Sequence, residues 1–214
     1  MSRVCKYIGV LLLVVSSCGG SAEVDSTVVS STSTKVAENK SVNGYSVGPY
    51  AALTGASLAG ANLKAVNLFG AVLSGADLAG ADLYNATLSG AKLLGAVLAD
   101  SNLAYADARG ADLESANLRS ANLANADLEG ADLRDADLTG ATLLRVNLRN
   151  ANLSGAILSD ADLYGADLRG ADLKNANFQD ANLELVDLRD ARNCSTVKGK
   201  SLGLVIGGVE VSCG

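Results

Sequence analysis

The chain has 214 residues, of which 49% are hydrophobic, yet it contains no tryptophan, no histidine and only six tyrosines and two phenylalanines. Its apolar side chains are therefore almost all leucine, alanine and valine, which excludes a core of large aromatic residues and any mechanism that depends on histidine. The formal net charge is −6, and 19 of the 23 acidic residues lie between residues 51 and 192.

The first 18 residues have the pattern of a bacterial export signal. Arg3 and Lys6 supply positive charge, and residues 8–15 form an apolar run that is too short to span a bilayer. The run ends in VSSCG, residues 15–19, which resembles the lipobox of bacterial lipoproteins. The resemblance implies a signal peptide over residues 1–17 and a lipidated Cys18 that anchors the mature protein to a membrane. The alternative is an ordinary cleaved signal peptide in which Cys18 is incidental.

Residues 18–44 are predicted to be a disordered, lipid-anchored tether. The stretch from Gly19 to Asn43 is rich in Ser, Thr, Val, Lys and Glu and shows no usable hydrophobic period.

From Leu53 to Leu188 the chain repeats every five residues, in 28 windows without an insertion. The central residue is leucine except at Ala108 and Phe178, and the residue two before it is alanine in all but four windows. Apolar residues at a period of five do not line up along one face of a helix. They also break the alternation of apolar and polar side chains that a long strand requires. It favours short extended sides joined by corners, which together form a coil.

The triplets Ala76-Asp77-Leu78 and Ala121-Asn122-Leu123 are typical of these windows. They resemble the A-(D/N)-L-X-X pattern of the pentapeptide-repeat family, and the resemblance covers about two thirds of the chain. It implies an all-β fold, a right-handed quadrilateral parallel β-helix over residues 45–192 with about seven coils. One pentapeptide would form each side, so that residue i lies against residue i+20 of the next coil.

The outward rows are where a binding surface would lie. On the side centred on Leu168, arginine follows the leucine at Arg149, Arg169 and Arg189, and aspartate or asparagine precedes it. We interpret this row as a solvated charge ladder in which arginines offset the repulsion between stacked carboxylates. The three arginines are candidate surface contacts.

Tyr84, Leu144 and Tyr164 share a second outward row and are also candidate surface contacts. We expect them to be scattered along the coil rather than contiguous, so a binding patch there is the weaker interpretation.

Both ends of a solenoid expose unpaired backbone and apolar core unless they are covered. The segment from Tyr45 to Tyr50 is the predicted N-terminal cover. Residues 193–214 lose the period and are predicted to be a C-terminal cap pinned by a disulfide between Cys194 and Cys213.

Two other roles for residues 193–214 are a metal site and a dimer contact. Two cysteines without histidine supply at most half of a zinc site, so no metal site is expected. The apolar residues of the cap can instead form a homodimer contact; they are Leu204, Val205, Ile206 and Val209.

The sequence predicts no enzyme, no catalytic residue and no cofactor, because the acidic residues are spread at repeat spacing rather than converging in a cleft. We expect a non-catalytic, membrane-anchored extracytoplasmic scaffold or protein-interaction module in the cell envelope. Its partner would be an unidentified protein or envelope component, and an acidic surface disfavours direct contact with nucleic acid. The family resemblance also implies an alternative, since some pentapeptide-repeat proteins mimic duplex DNA and bind DNA gyrase in the cytoplasm.

Overall fold

The computed structural model describes residues 40–199 and, as backbone, the strand residues 205–206 and 209–210. The predicted signal peptide, Cys18, Leu204 and Cys213 lie outside the described residues. The elements in chain order are β1 (Lys40–Val42), β2 (Tyr45–Val47), a 3₁₀ helix (Cys194–Thr196), β3 (Val205–Ile206) and β4 (Val209–Glu210). Within the described residues, no helical segment has the length and apolar character needed to cross a membrane.

The repeat region is a ladder of single parallel bridges. The residue before each central leucine pairs with the residue 20 positions later, beginning with Ala52 and Val72 and continuing without interruption to Asp172 and Arg192. Leu53 N donates to Val72 O at 2.7 Å, and Val72 N donates to Ala51 O at 2.8 Å. A step of 20 residues made of five-residue sides gives four sides per coil, which confirms the expected stacking of residue i on residue i+20.

Each side ends in a tight turn. The amide three residues after the leucine donates to the leucine carbonyl, as Ala56 N does to Leu53 O at 3.0 Å. The residue two after the leucine has a positive φ at every corner from 55 to 190, as in the third position of a type II turn. Glycine often occupies this position because it has no Cβ, but Tyr105 (φ 60°) and Leu185 (φ 58°) adopt the same conformation.

The core is a narrow column of leucine and alanine. The central leucines from Leu58 to Leu98 are 0% exposed, and the alanines two before them point to the same interior. Ala108 and Phe178 take leucine positions and are 3% and 2% exposed. Ser101 is a buried polar residue, and its hydroxyl donates to Leu98 O at 2.6 Å. Full burial of a leucine side chain contributes about 1.5–3 kcal/mol, so the column supplies most of the stabilisation.

The N-terminal cover is a hairpin that begins earlier than the sequence suggested. β1 lies inside the range predicted as tether, so the folded part includes residues 40–44 as well. β1 and β2 pair antiparallel around the two residues Asn43 and Gly44, which both have positive φ, as a tight hairpin turn requires. Val47 is 1% exposed, and Tyr45 packs against the core while its hydroxyl accepts a hydrogen bond from Ser57 N at 3.2 Å.

The C-terminal end departs from the period. The next bridge in chain order after Asp172–Arg192 joins Asn177 to Lys198, which is a step of 21 rather than 20 residues. The extra residue is taken up by the 3₁₀ helix, where the Thr196 hydroxyl accepts a hydrogen bond from Asn175 N at 2.8 Å. β3 and β4 form a separate antiparallel pair.

Candidate interaction surfaces

Where an aspartate or asparagine precedes the central leucine, its side chain has a structural role in the corner. Its Oδ1 accepts a hydrogen bond from the backbone amide two residues later, as Asp77 does from Ala79 N at 3.1 Å and Asn122 does from Ala124 N at 3.1 Å. This is an Asx-type turn, in which a short side chain replaces a backbone acceptor. An outward position in the repeat does not by itself predict this bond, although the fixed spacing of Asp or Asn before the turn is a sequence signal for it.

One side of the solenoid carries a ladder of ion pairs, and we call it the charged side. It comprises the outward residues around the leucine positions 108, 128, 148, 168 and 188. Arg109 lies 2.7 Å from Asp107 on its own coil and 3.6 Å from Asp127 on the next. Arg109 therefore joins two coils, as the sequence pattern indicated.

The same arrangement recurs towards the C-terminal end of the charged side. Arg169 contacts Asp167 at 2.5 Å and Asp187 at 3.5 Å, and Arg189 contacts Asp187 at 2.5 Å. Arg149 differs, because its neighbour before the leucine is Asn147 and its guanidinium forms no ion pair with any residue from 40 to 199. Two of the three candidate arginines are thus held by carboxylates.

These contacts hold the carboxylates in the ionised form. The hydrogen bond from Arg109 lowers the pKa of Asp107 to about 2. Hydrogen bonds from Arg169 and Arg189 likewise lower the pKa of Asp167 and of Asp187 below the usual range. Carboxylates of this kind are poor proton donors at neutral pH.

A cluster of acids lies on the adjoining side. One carboxylate oxygen from each of Asp112, Glu114 and Asp132 lies within 4.8 Å of the others. Arg134 contacts Glu114 at 2.5 Å and Asp132 at 2.7 Å, and its hydrogen bond lowers the pKa of Asp132. The cluster is therefore an ion-pair network in which a guanidinium already supplies the positive charge.

Another side of the solenoid carries few charged side chains, and we call it the neutral side. It comprises the outward residues around Leu83, Leu103, Leu123, Leu143 and Leu163. The residues that follow these leucines form one row along successive coils: Tyr84, Ala104, Ala124, Leu144 and Tyr164.

Two alanines lie between the larger side chains of this row, and Ala104 is only 5% exposed, so Tyr84 stands apart from Leu144 and Tyr164. Tyr84 is 43% exposed, whereas Leu144 and Tyr164 are half-buried. Tyr105, which was not among the predicted contacts, packs edge-on against Tyr84 with ring centroids 5.5 Å apart. A comparison of residue i with i+20 misses this pair, because Tyr105 is one position further along, at the corner.

Asparagine amides form a second row on the neutral side. Asn122 Nδ2 donates to Asn102 Oδ1 at 3.2 Å, and Asn102 Nδ2 donates to Asp82 Oδ1 at 3.2 Å. These side chains are partly exposed. The neutral side thus offers an apolar row and a parallel row of uncharged hydrogen-bonding groups.

A small cleft of about 230 Å³ lies where the N-terminal cover meets the first coil. Its lining includes Val47, Pro49 and the side chains of two lysines, of which Lys40 donates to Asn62 O at 3.0 Å and Lys64 lies 3.0 Å from Asp82. Both cations already have partners within the protein.

Comparison with known proteins supports the repeat as the defining feature. The model of the pentapeptide-repeat family, described as eight copies, matches residues 50–83, 81–119, 116–155 and 156–192. No match was found among curated proteins.

Several solved structures are similar to this chain. HetL from Nostoc sp. strain PCC 7120, a pentapeptide repeat protein involved in heterocyst differentiation regulation, is 38% identical over 67% of this chain and 70% of its own, with a TM-score of 0.39. A pentapeptide repeat protein from the thylakoid lumen of Arabidopsis thaliana is 32% identical over 46% of this chain and 74% of its own, with a TM-score of 0.42. Trypsin-treated QnrB1, a plasmid-mediated fluoroquinolone resistance protein, is 20% identical over 67% of this chain and 86% of its own, with a TM-score of 0.36.

The family match spans about two thirds of the chain and coincides with the region of 20-residue bridges. The chain belongs to the pentapeptide-repeat family, and this membership implies the right-handed β-helix solenoid that the sequence led us to expect.

Proposed function

We propose that this protein is a non-catalytic scaffold or protein-interaction module, held by lipid at Cys18 on the extracytoplasmic side of a bacterial membrane. In this proposal residues 1–17 are a signal peptide, and a tether after Cys18 leads to the cover. A solenoid of about seven coils over residues 45–192 presents the binding surfaces, and residues 193–214 cap its end. The partner is a protein or another component of the cell envelope.

The observation that supports a non-catalytic role is that acidic side chains are engaged in hydrogen bonds and ion pairs within the solenoid. Asp107 illustrates it, because its carboxylate accepts hydrogen bonds from the Arg109 amide and guanidinium and its pKa falls to about 2. A general acid needs the opposite shift, towards the working pH. These carboxylates hold corners and ion pairs together and are unsuited to proton transfer.

We extend the proposal to a disulfide between Cys194 and Cys213. Its support is that Cys194 is disulfide-bonded and that the chain begins with the pattern of an export signal. Disulfides persist in extracytoplasmic compartments and are rare in the cytosol. A disulfide that closes a loop of about 20 residues contributes on the order of 3 kcal/mol, so it would hold the cap on the last coil.

The direct test is the intact mass of the protein in membrane and soluble fractions of a bacterial host. We expect a membrane-bound species that lacks residues 1–17 and carries added acyl mass, and we expect Cys18→Ala to abolish both the added mass and the membrane association. Cys5→Ala is the matched control, because Cys5 lies within the signal peptide and its loss leaves lipidation intact. A soluble, full-length and unmodified chain would overturn the proposal.

The second candidate is mimicry of duplex DNA in the cytoplasm, with DNA gyrase as the partner. The observation in its favour is the row of carboxylates on successive coils, which includes Asp107, Asp127, Asp167 and Asp187. Arg109 and Arg169 each bridge two of these carboxylates and reduce the negative potential of the row. A gyrase supercoiling assay distinguishes the two candidates: inhibition at stoichiometric amounts of the chain would favour mimicry, and unchanged supercoiling would favour the scaffold.

A further inference from the structure

We propose that the neutral side binds a neutral polysaccharide chain laid along the solenoid axis. This inference deepens the proposed function, because it names the envelope component, and its biological setting rests on the proposed export. Its physical basis is independent of the anchor and lies in the outward residues of five coils.

The first argument is the shape of the apolar row. Tyr84, with Tyr105 edge-on beside it, stands at one end and Tyr164 stands at the other. On the intervening coils lie Ala104, which is 5% exposed, and Ala124 and Leu144, which are half-buried, so apolar side chains that project less than tyrosine separate the aromatic ends. Four coil steps at about 4.8 Å make the row about 19 Å long. An extended ligand fits a surface of these proportions, and sugar rings present C–H faces that pack on tyrosine rings.

The second argument is the absence of charge together with the presence of hydrogen-bonding groups. Between Asp82 and Asp162 the row before the leucines consists of Asn102, Asn122 and Thr142. Each amide nitrogen has two hydrogens and uses one in the ladder with its neighbour, so a second remains for a ligand hydroxyl. On the neutral side of these three coils, among the described residues, Arg145 at a corner is the one charged outward side chain, and Asp82 and Asp162 stand at the two ends of the row.

The tyrosine hydroxyls add to this set. Neither Tyr84 nor Tyr164 uses its hydroxyl in a hydrogen bond with any residue of the described part of the chain. Apolar platforms beside uncharged donors and acceptors are the combination that a sugar polymer requires, because each ring has an apolar face and a rim of hydroxyls.

An extended peptide fits this surface less well. The backbone groups of these sides are already bonded to neighbouring coils, since Asn102 N donates to Ala81 O at 2.9 Å and Leu83 N donates to Asn102 O at 2.7 Å. No strand edge is therefore open here for a peptide to extend the sheet.

A folded protein partner, or a second copy of the chain, needs more area than the neutral side provides. A side about 10 Å wide and about 19 Å long presents on the order of 200 Å² in outline, whereas a stable interface buries about 800 Å² on each partner. The narrow, long outline matches a single polymer chain.

The test is co-sedimentation of the purified full chain, in mild detergent, with microcrystalline cellulose and with chitin. We expect one or both of these neutral polysaccharides to deplete the chain from solution in a saturable manner. The variant carrying Tyr84→Ala and Tyr164→Ala should bind about tenfold or more weakly, because it loses both aromatic ends. Tyr50→Ala is the matched control, since Tyr50 is an exposed aromatic residue outside the neutral side, and it should bind as the unaltered chain does.

A second variant tests the amide row without removing any apolar group. Asn122→Asp keeps the Oδ1 that accepts the Ala124 amide but replaces the donor to Asn102 with a carboxylate, so it should keep the turn, lose one hydrogen bond of the amide row and bind more weakly. Failure of both polysaccharides to deplete the chain, equal binding by the double tyrosine variant, or a preference for carboxymethyl cellulose over cellulose would each overturn the inference. Self-association that the double tyrosine variant abolishes would assign the surface to a second copy instead. Because these assays need neither export nor lipid, their failure is distinguishable from failure of the Cys18 experiment.

Discussion

The charged side and the neutral side share one backbone geometry and one column of leucine and alanine, and they differ chiefly in the side chains that point outward. On both sides an Asp or Asn accepts the corner amide, as Asp127 does from Glu129 N and Asn122 does from Ala124 N, each at 3.1 Å. The turn therefore accepts either residue, and the choice between them sets the charge of the surface. This comparison separates the residues that specify the fold from those that are free to specify a partner.

The largest expected effect is a loss of stability when a leucine of the core that the two sides share is truncated. Leu123→Ala, behind the neutral side, and Leu128→Ala, behind the charged side, should each lower the free energy of unfolding by about 2–5 kcal/mol, because each leaves a cavity in the same column. Urea unfolding followed by circular dichroism measures both. A difference between the two variants as large as the effects themselves would show that the sides do not share one core.

An intermediate effect concerns the corner amides. Asn122→Ala and Asp127→Ala each remove the acceptor of one turn amide and one side-chain hydrogen bond between coils, and each should cost about 1–2 kcal/mol. Asp127→Asn keeps the oxygen that accepts both bonds and should be nearly neutral. The same unfolding measurement applies. If Asp127→Asn costs as much as Asp127→Ala, then charge rather than the turn acceptor is what the position requires.

The smallest expected effect distinguishes the sides by their response to acid. Because hydrogen bonding from Arg109 lowers the pKa of Asp107 to about 2, the folded protein holds this proton less tightly than the unfolded chain, whose aspartates titrate near ~3.9. The stabilisation is thus fully present above about pH 4 and is lost as the pH falls towards 2. The pair is partly exposed, so the loss should be below about 1 kcal/mol.

Carbon-13 titration of the carboxyl group measures this effect at the residue itself. Arg109→Gln should raise the pKa of Asp107 towards the ordinary aspartate value and reduce the acid sensitivity of folding. Arg119→Gln is the matched control, because Arg119 pairs with Asp137 on another side and should leave Asp107 unchanged. If Asp107 titrates in Arg109→Gln as it does in the unaltered chain, then the ion pair with Arg109 is not what lowers its pKa.

The repeat could be predicted because inward positions obey one rule at every step. Leucine and alanine recur in register, and this register predicts that residue i stacks on residue i+20. The same stacking predicts the Arg–Asp ladder of the charged side. Ala108 and Phe178 also took the core positions that the register assigned to them.

The features that the sequence did not predict share a physical cause. Each depends on a local or diagonal contact rather than on the five-residue period. β1 was assigned to the tether because three residues of strand carry no periodic signal, although Asn43-Gly44 is a typical hairpin turn. Tyr105 was missed because its contact with Tyr84 crosses to the corner of the next coil. The backbone role of the aspartates was missed because a side chain that points outward can still bond to its own turn.

The 20-residue step has a consequence for how such a molecule changes in length. Duplication of any block of 20 residues within the repeat would lengthen the rod by one coil, about 4.8 Å, and leave both ends as they are. Duplication of a single pentapeptide would instead rotate everything downstream by a quarter turn, so that the arginine ladder would continue into another side. Length is therefore adjustable in units of one coil, while the continuity of each surface is preserved only by insertions that keep this unit whole.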